Sequence, residues 1–157
     1  MSTTLTLYNS FLKYQQDGTI NLKDDTIKLA LVTNLYSFSV EHDVLADILG
    51  SPSCEVEQIE SPDNGYTTGG ETLTGKTFTL TDSPLLQVFD AADVEWAELT
   101  ATFRFGILYA NVTRNGIVDP LIGCILYDDT PGDMEIVGIK FKTIWNAGGI
   151  CKIEKSD

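Results

Sequence analysis

The chain has 157 residues, 43% hydrophobic and 21% charged, which suits one globular domain and argues against a mainly disordered chain. Ten lysines and arginines stand against 23 aspartates and glutamates, a formal charge of −13 that repels phosphate backbones and anionic membrane surfaces. Uninterrupted apolar runs such as Leu29–Val32 and Ile107–Ala110 are far too short for a membrane-spanning helix.

In chain order, the first predicted element is a helix over about 4–16. Leu5, Tyr8, Phe11 and Leu12 share one helical face, Thr3 or Thr4 can cap the start, and Asp17-Gly18 supplies the stop. Thr26–Val32 reads as a strand. A second short helix is expected over Glu41–Leu49, ended by Gly50-Ser51-Pro52. Ser51–Gly70 is the longest irregular stretch, with a short strand allowed at Cys54–Ile59. Lys76–Thr81 alternates so that Phe78 and Leu80 share a face. Ala101–Ala110 would place Phe103, Phe105, Ile107 and Tyr109 together, with Arg104 opposite. Asn115-Gly116 signals a tight hairpin that returns through Ile117–Tyr127, with Pro120 near its beginning or edge. Val137, Ile139, Phe141, Thr143 and Trp145 alternate with Gly138, Lys140 and Lys142, and Gly149–Glu154 forms a last strand. The pattern predicts a mainly β, sandwich-like antiparallel domain spanning 1–157, with one or two short helices and a contact arm or surface loop at 51–70.

Few residues offer chemistry. Cys54, Cys124 and Cys151 are an odd number without zinc spacing, and are expected to be reduced core hydrophobes. His42 is the sole histidine, which excludes multi-histidine metal sites. Gly70-Glu71-Thr72-Leu73-Thr74-Gly75-Lys76-Thr77 spells the phosphate-loop pattern GxxxxGK[ST], but no buried strand precedes it and Thr77–Thr81 alternates as a strand where a helix is required. A glycine turn into a strand is the preferred reading, with nucleotide binding a minor alternative. Asp128, Asp129 and Asp133 flank a Pro-Gly turn and could gather oxygens around a hard cation. Their spacing completes no calcium loop, so a solvated turn is expected and no metal or cofactor is assigned. Trp96 stands among Asp90, Asp93, Glu95 and Glu98, a grouping found in sugar grooves, though a core role is the commoner one. No nucleophile stands beside a base, and the chain is not expected to be an enzyme.

A series of segments carries more information together than any of these motifs. It runs through Tyr8, Phe11-Leu12, Gly18-Thr19-Ile20-Asn21-Leu22, Asp25–Val32, Tyr36 and Asp43–Ile48. It continues through Gly65-Tyr66-Thr67-Thr68-Gly69-Gly70, Phe89-Asp90-Ala91-Ala92-Asp93-Val94-Glu95-Trp96 and Pro120-Leu121-Ile122-Gly123. In this order the chain resembles a family of small virion structural proteins of tailed bacteriophages. Three cysteines and a longer Ser51–Pro62 segment depart from the family pattern.

The resemblance implies a non-catalytic β-rich building block, assembled in many copies in the host bacterial cytoplasm and located in the virion. That location agrees with an N-terminus, Met1-Ser2-Thr3-Thr4, that lacks signal-peptide features. Head decoration (cement) is the leading expectation, with the major capsid protein or other virion proteins as partners and a homo-oligomer, a trimer, as the unit. Neither nucleic acid nor membrane is an expected partner. Subunit contacts are expected from Leu5, Tyr8, Phe11 and Leu12 of the first helix and from Cys54 and Tyr66 of the following loop. A tail- or fibre-associated module, contacting carbohydrate through Trp96 or Trp145, is the alternative.

Overall fold

A computed structural model describes residues 4–50, 54–56, 63–82, 85–127 and 133–154. Its first half contains β1 (Leu5–Leu7), α1 (Ser10–Gln16), β2 (Ile27–Val32), α2 (Leu45–Ile48), β3 (Glu71–Thr72) and β4 (Thr77–Asp82). Among the described residues the regular elements of the second half are all strands: β5 (Leu85–Asp90), β6 (Val94–Phe103), β7 (Phe105–Ala110), β8 (Thr113–Arg114), β9 (Ile117–Val118), β10 (Leu121–Leu126), β11 (Met134–Thr143) and β12 (Cys151–Glu154). The domain is mainly β and its strand pairs are antiparallel, as the alternation patterns predict.

A five-stranded sheet in the order β1-β10-β7-β2-β3 forms the centre. β2 is covered on both faces, which explains its near-continuous apolar sequence, Ile27-Lys28-Leu29-Ala30-Leu31-Val32. Ile27, Leu29 and Leu31 point into the main core with Trp96, Leu99 and Phe103 of β6 and Phe141 of β11. Ala30 and Val32 point the other way, into a second core with Tyr8, Tyr36, Leu45, Ile48 and Cys54. β6 and β11 pair separately, as do β4, β5 and β12 in the order β12-β5-β4.

Three expectations are corrected. Leu5–Leu7 is a strand, not the start of the helix: Leu5 pairs with Ile125 and Leu7 with Gly123. Gly123 leaves room for the Leu5 side chain, which stands 2.7 Å from where a Cβ would be, so strand pairing prevails over a helical spacing that arose by coincidence. The second helix shrinks to Leu45–Ile48, its start fixed by the Asp47 carboxylate accepting the amides of Asp43 and Val44 at 2.9 and 3.1 Å. Ala101–Ala110 is two strands rather than one. The chain turns at Arg104, whose amide donates to the Val32 carbonyl and whose own carbonyl accepts the Tyr127 amide. Phe103 therefore enters the main core, while Ile107 and Tyr109 enter the second.

The long alternation at 137–145 also changes face. A register shift lies between Ile136 and Ile139, around Gly138 with φ +59°. Met134 and Ile136 pack inward before it and Phe141 and Thr143 after it, leaving Val137 75% and Ile139 57% exposed. The Asn115-Gly116 hairpin is as expected. Both residues take positive φ, 55° and 76°, between Thr113-Arg114 and Ile117-Val118.

Candidate functional site

The segment that spells a phosphate loop is built into the sheet. Gly70 (φ +82°) lies so close to β2 that a Cβ would stand 1.9 Å from the Leu29 carbonyl oxygen, and its amide donates to the Thr67 carbonyl. Glu71 and Thr72 then pair with Leu29 and Lys28. The Lys76 ammonium donates to the Asp25 carbonyl, and Thr77 opens a strand. The Gly70 amide, the Leu73 amide (to the Ile27 carbonyl) and the Lys76 ammonium, which a phosphate loop would turn towards its ligand, are engaged within the chain. Gly70–Thr77 is thus a glycine turn that leads into a strand, the preferred reading of the sequence, and no helix follows it as a phosphate loop requires.

Tyr66 leads into the same turn. Its hydroxyl accepts the Leu31 amide at 3.1 Å and donates to the Glu55 carboxylate at 2.7 Å. The same carboxylate oxygen accepts the Gly69 amide at 2.6 Å, and the Tyr109 hydroxyl donates to the Gly69 carbonyl at 2.7 Å. Burial, followed by the nearby Glu55 carboxylate, pushes the Tyr66 phenol far above its usual range and keeps it a donor. Glu55 is fully buried, and its second oxygen finds no hydrogen-bond partner among the described residues.

On the far side of the central sheet the Tyr8 and Tyr36 hydroxyls lie 3.0 Å apart, and Tyr36 is 3.0 Å from Nδ1 of His42. Burial pushes the Tyr36 phenol up to about 12. The lone histidine thus ends an internal polar chain that ties 36–42 to Tyr8. Cys54 adds a contact to this region, its thiol donating to the Ile48 carbonyl at 2.9 Å.

The expected subunit contacts fare unevenly. Tyr8, Phe11, Cys54 and Tyr66 are buried in this chain's own cores, because each fills the space between the central sheet and its covering. Within this chain they are packing residues of the two cores. Leu5 is half-buried under β10, and only Leu12 projects, 57% exposed. Trp96 is buried between Tyr66 and Phe141, and Trp145 is buried with its indole N–H donating to the Ala92 carbonyl at 3.1 Å. Neither ring is presented to a sugar. Asp128 and Asp129 lie outside the described residues, as does most of the 51–62 segment. Asp133 accepts from Arg104 at 2.9 Å and from Asn34 at 2.8 Å, so it serves as an anchor.

One part of the surface presents apolar side chains among polar ones. Leu12, Phe78 and Ile153 line a groove of about 730 Å³ between α1 and the β4–β5–β12 sheet. On that sheet Phe78 pairs with Phe89, Leu80 with Gln87, and Gln87 with Ile153, so these side chains share one face. Phe89 roots the face in the main core, while Leu80 is 64% exposed. Sequence reasoning placed Phe78 and Leu80 on one face but had no signal that no other element among the described residues would cover them.

No family model, curated protein or solved structure matches this chain.

Proposed function

We propose that the protein is a virion structural protein of a tailed bacteriophage, a decoration protein that binds and stabilises the assembled head. The supporting observation is where the segments that carry the resemblance fall. Asp25–Val32 contains the doubly covered central strand. Gly65–Gly70 bridges the sheets at two close approaches, where a Cβ at Gly65 would stand 1.7 Å from the Glu98 carbonyl and one at Gly70 would meet Leu29. Pro120 bridges to Val44 at the start of β10. Segments that resemble a family at positions with such steric demands support a shared frame over a chance likeness of strand chemistry.

In this reading the chain performs no catalysis. It binds the capsid lattice and not the separated subunits, so it stabilises the shell by mass action. Its acidic surface favours basic patches on capsid subunits.

The test is the copy number in purified virions of the encoding phage, measured by calibrated mass spectrometry against the major capsid protein. About one copy per capsid subunit is expected. A few copies per particle would move the protein to the tail, and its absence from virions would overturn the structural role.

A further inference from the structure

We propose that the outer edge of β4 is a self-association seam, pairing antiparallel with β4 of a second copy across a two-fold axis. β4 is the terminal strand of the β12-β5-β4 sheet, and its residues Thr77 to Thr81 are all exposed. Soluble proteins protect such edges with charge, proline or a bulge. The other terminal strand, β12, carries Lys152 and Glu154. β4 reads Thr77-Phe78-Thr79-Leu80-Thr81, five uncharged residues in a chain of net charge −13.

The sequence of this edge is self-complementary. With Thr79 on the two-fold axis, Phe78 of each copy faces Leu80 of the other, Thr77 faces Thr81, and Thr79 faces its own equivalent. Apolar pairs then lie on one side of the joined sheet and threonine pairs on the other, both favourable cross-strand combinations. A slip of one residue would set Phe78 against threonine and mix the faces. The occupant is therefore a second copy. A contact of one strand with itself requires a two-fold axis, which the trimer implied by the family resemblance does not provide. This inference does not depend on the phage reading.

Sedimentation velocity on the full chain over a concentration series, paired with oxidative cross-linking, tests the seam. The wild type should shift from 17.2 kDa towards twice that mass. Thr79→Cys should yield a disulfide-linked dimer beyond any formed by the wild type. Thr77→Cys should not, since its two copies lie about 13 Å apart along the strands, whereas a disulfide spans at most ~7 Å between Cα atoms.

Thr79→Lys places two ammonium groups face to face and should weaken dimerisation at least ~10-fold, with circular dichroism and thermal midpoint showing that the variant remains folded. A wild type that stays monomeric up to about 1 mM overturns the proposal. So does a trimer, equal cross-linking of the two cysteine variants, or a dimer indifferent to Thr79→Lys in the folded variant.

Discussion

The hydroxyl of Tyr66 donates to the buried carboxylate of Glu55 while accepting the amide of Leu31, so one side chain completes the edge of the central strand where β3 is only two residues long. Removing that oxygen strands a buried amide and deprives a buried carboxylate of a donor. Tyr66→Phe is expected to cost about 2–3 kcal/mol, read by urea denaturation. A change below the error of that measurement would show that water replaces the hydroxyl. Substituting Tyr66 should thus act on folding first, and any loss of particle binding would follow from it.

Gly70 and Gly116 separate two reasons for a glycine. Both have positive φ, but a Cβ at Gly70 would collide with Leu29 whereas nothing lies within 4 Å of one at Gly116. Gly116→Ala should cost about 1 kcal/mol, the strain of the left-handed backbone alone. Gly70→Ala should cost clearly more, at least about 2 kcal/mol. Similar thermal midpoints for the two variants would refute the close-approach argument.

Lys76 is expected to behave as an anchor for the Asp25 carbonyl. Lys76→Ala should lower stability by about 1 kcal/mol. Calorimetry of the wild type with ATP and magnesium should give no saturable heat, and saturable binding lost in Lys76→Ala would restore the phosphate-loop reading.

Asp25 links stability to acid. Burial disfavours its charge, but Arg114, bonding both carboxylate oxygens at 2.8 and 3.0 Å, and the Asn21 amide outweigh that and hold the carboxyl below its usual range. A lowered folded-state value means that the stabilisation is present above the unfolded value of ~3.9 and is lost as pH falls through the folded one. Asp25→Asn should therefore cost about 1.5–3 kcal/mol at neutral pH. The gap to the wild type should close only below about pH 4. A gap that is unchanged at pH 2 would mean that the carboxylate charge contributes nothing.

The cysteines should resist alkylation. Burial pushes the Cys54 thiol up to about 11 and those of Cys124 and Cys151 up to about 12. Cys54 and Cys124 are buried and Cys151 is half-buried, so Cys151 should react first with iodoacetamide at pH 8, and all three rapidly in denaturant. Early labelling of Cys54 would show that its contact with Ile48 opens readily.

Much of this architecture is legible in the residues themselves. β2 is recognisable as an apolar run interrupted only by Lys28, and Asn115-Gly116 prescribes its turn. Where the reading goes astray, a long-range contact decides. Leu5–Leu7 joins a sheet through a strand more than a hundred residues away, and no local periodicity reports that. Gly138 exchanges the inward face of β11, which unbroken alternation cannot foresee. Tyr8, Phe11 and Tyr66 share a spacing or setting with surface contacts, yet the second core claims Tyr8, the main core Phe11, and the Glu55 carboxylate Tyr66. The apolar surface at Phe78 and Leu80 escapes for the converse reason: alternation reports which residues share a face, and not whether anything covers it.

Passage from β6 to β7 through Arg104 alone makes the two layers of the core a single covalent ribbon, pinned at the bend by the amides of Arg104 and Tyr127. Neither layer can peel away without tearing the other at that point. In deuterated solvent these two amides should exchange only through global unfolding, at the slowest rates in the molecule, so the domain opens as one cooperative unit.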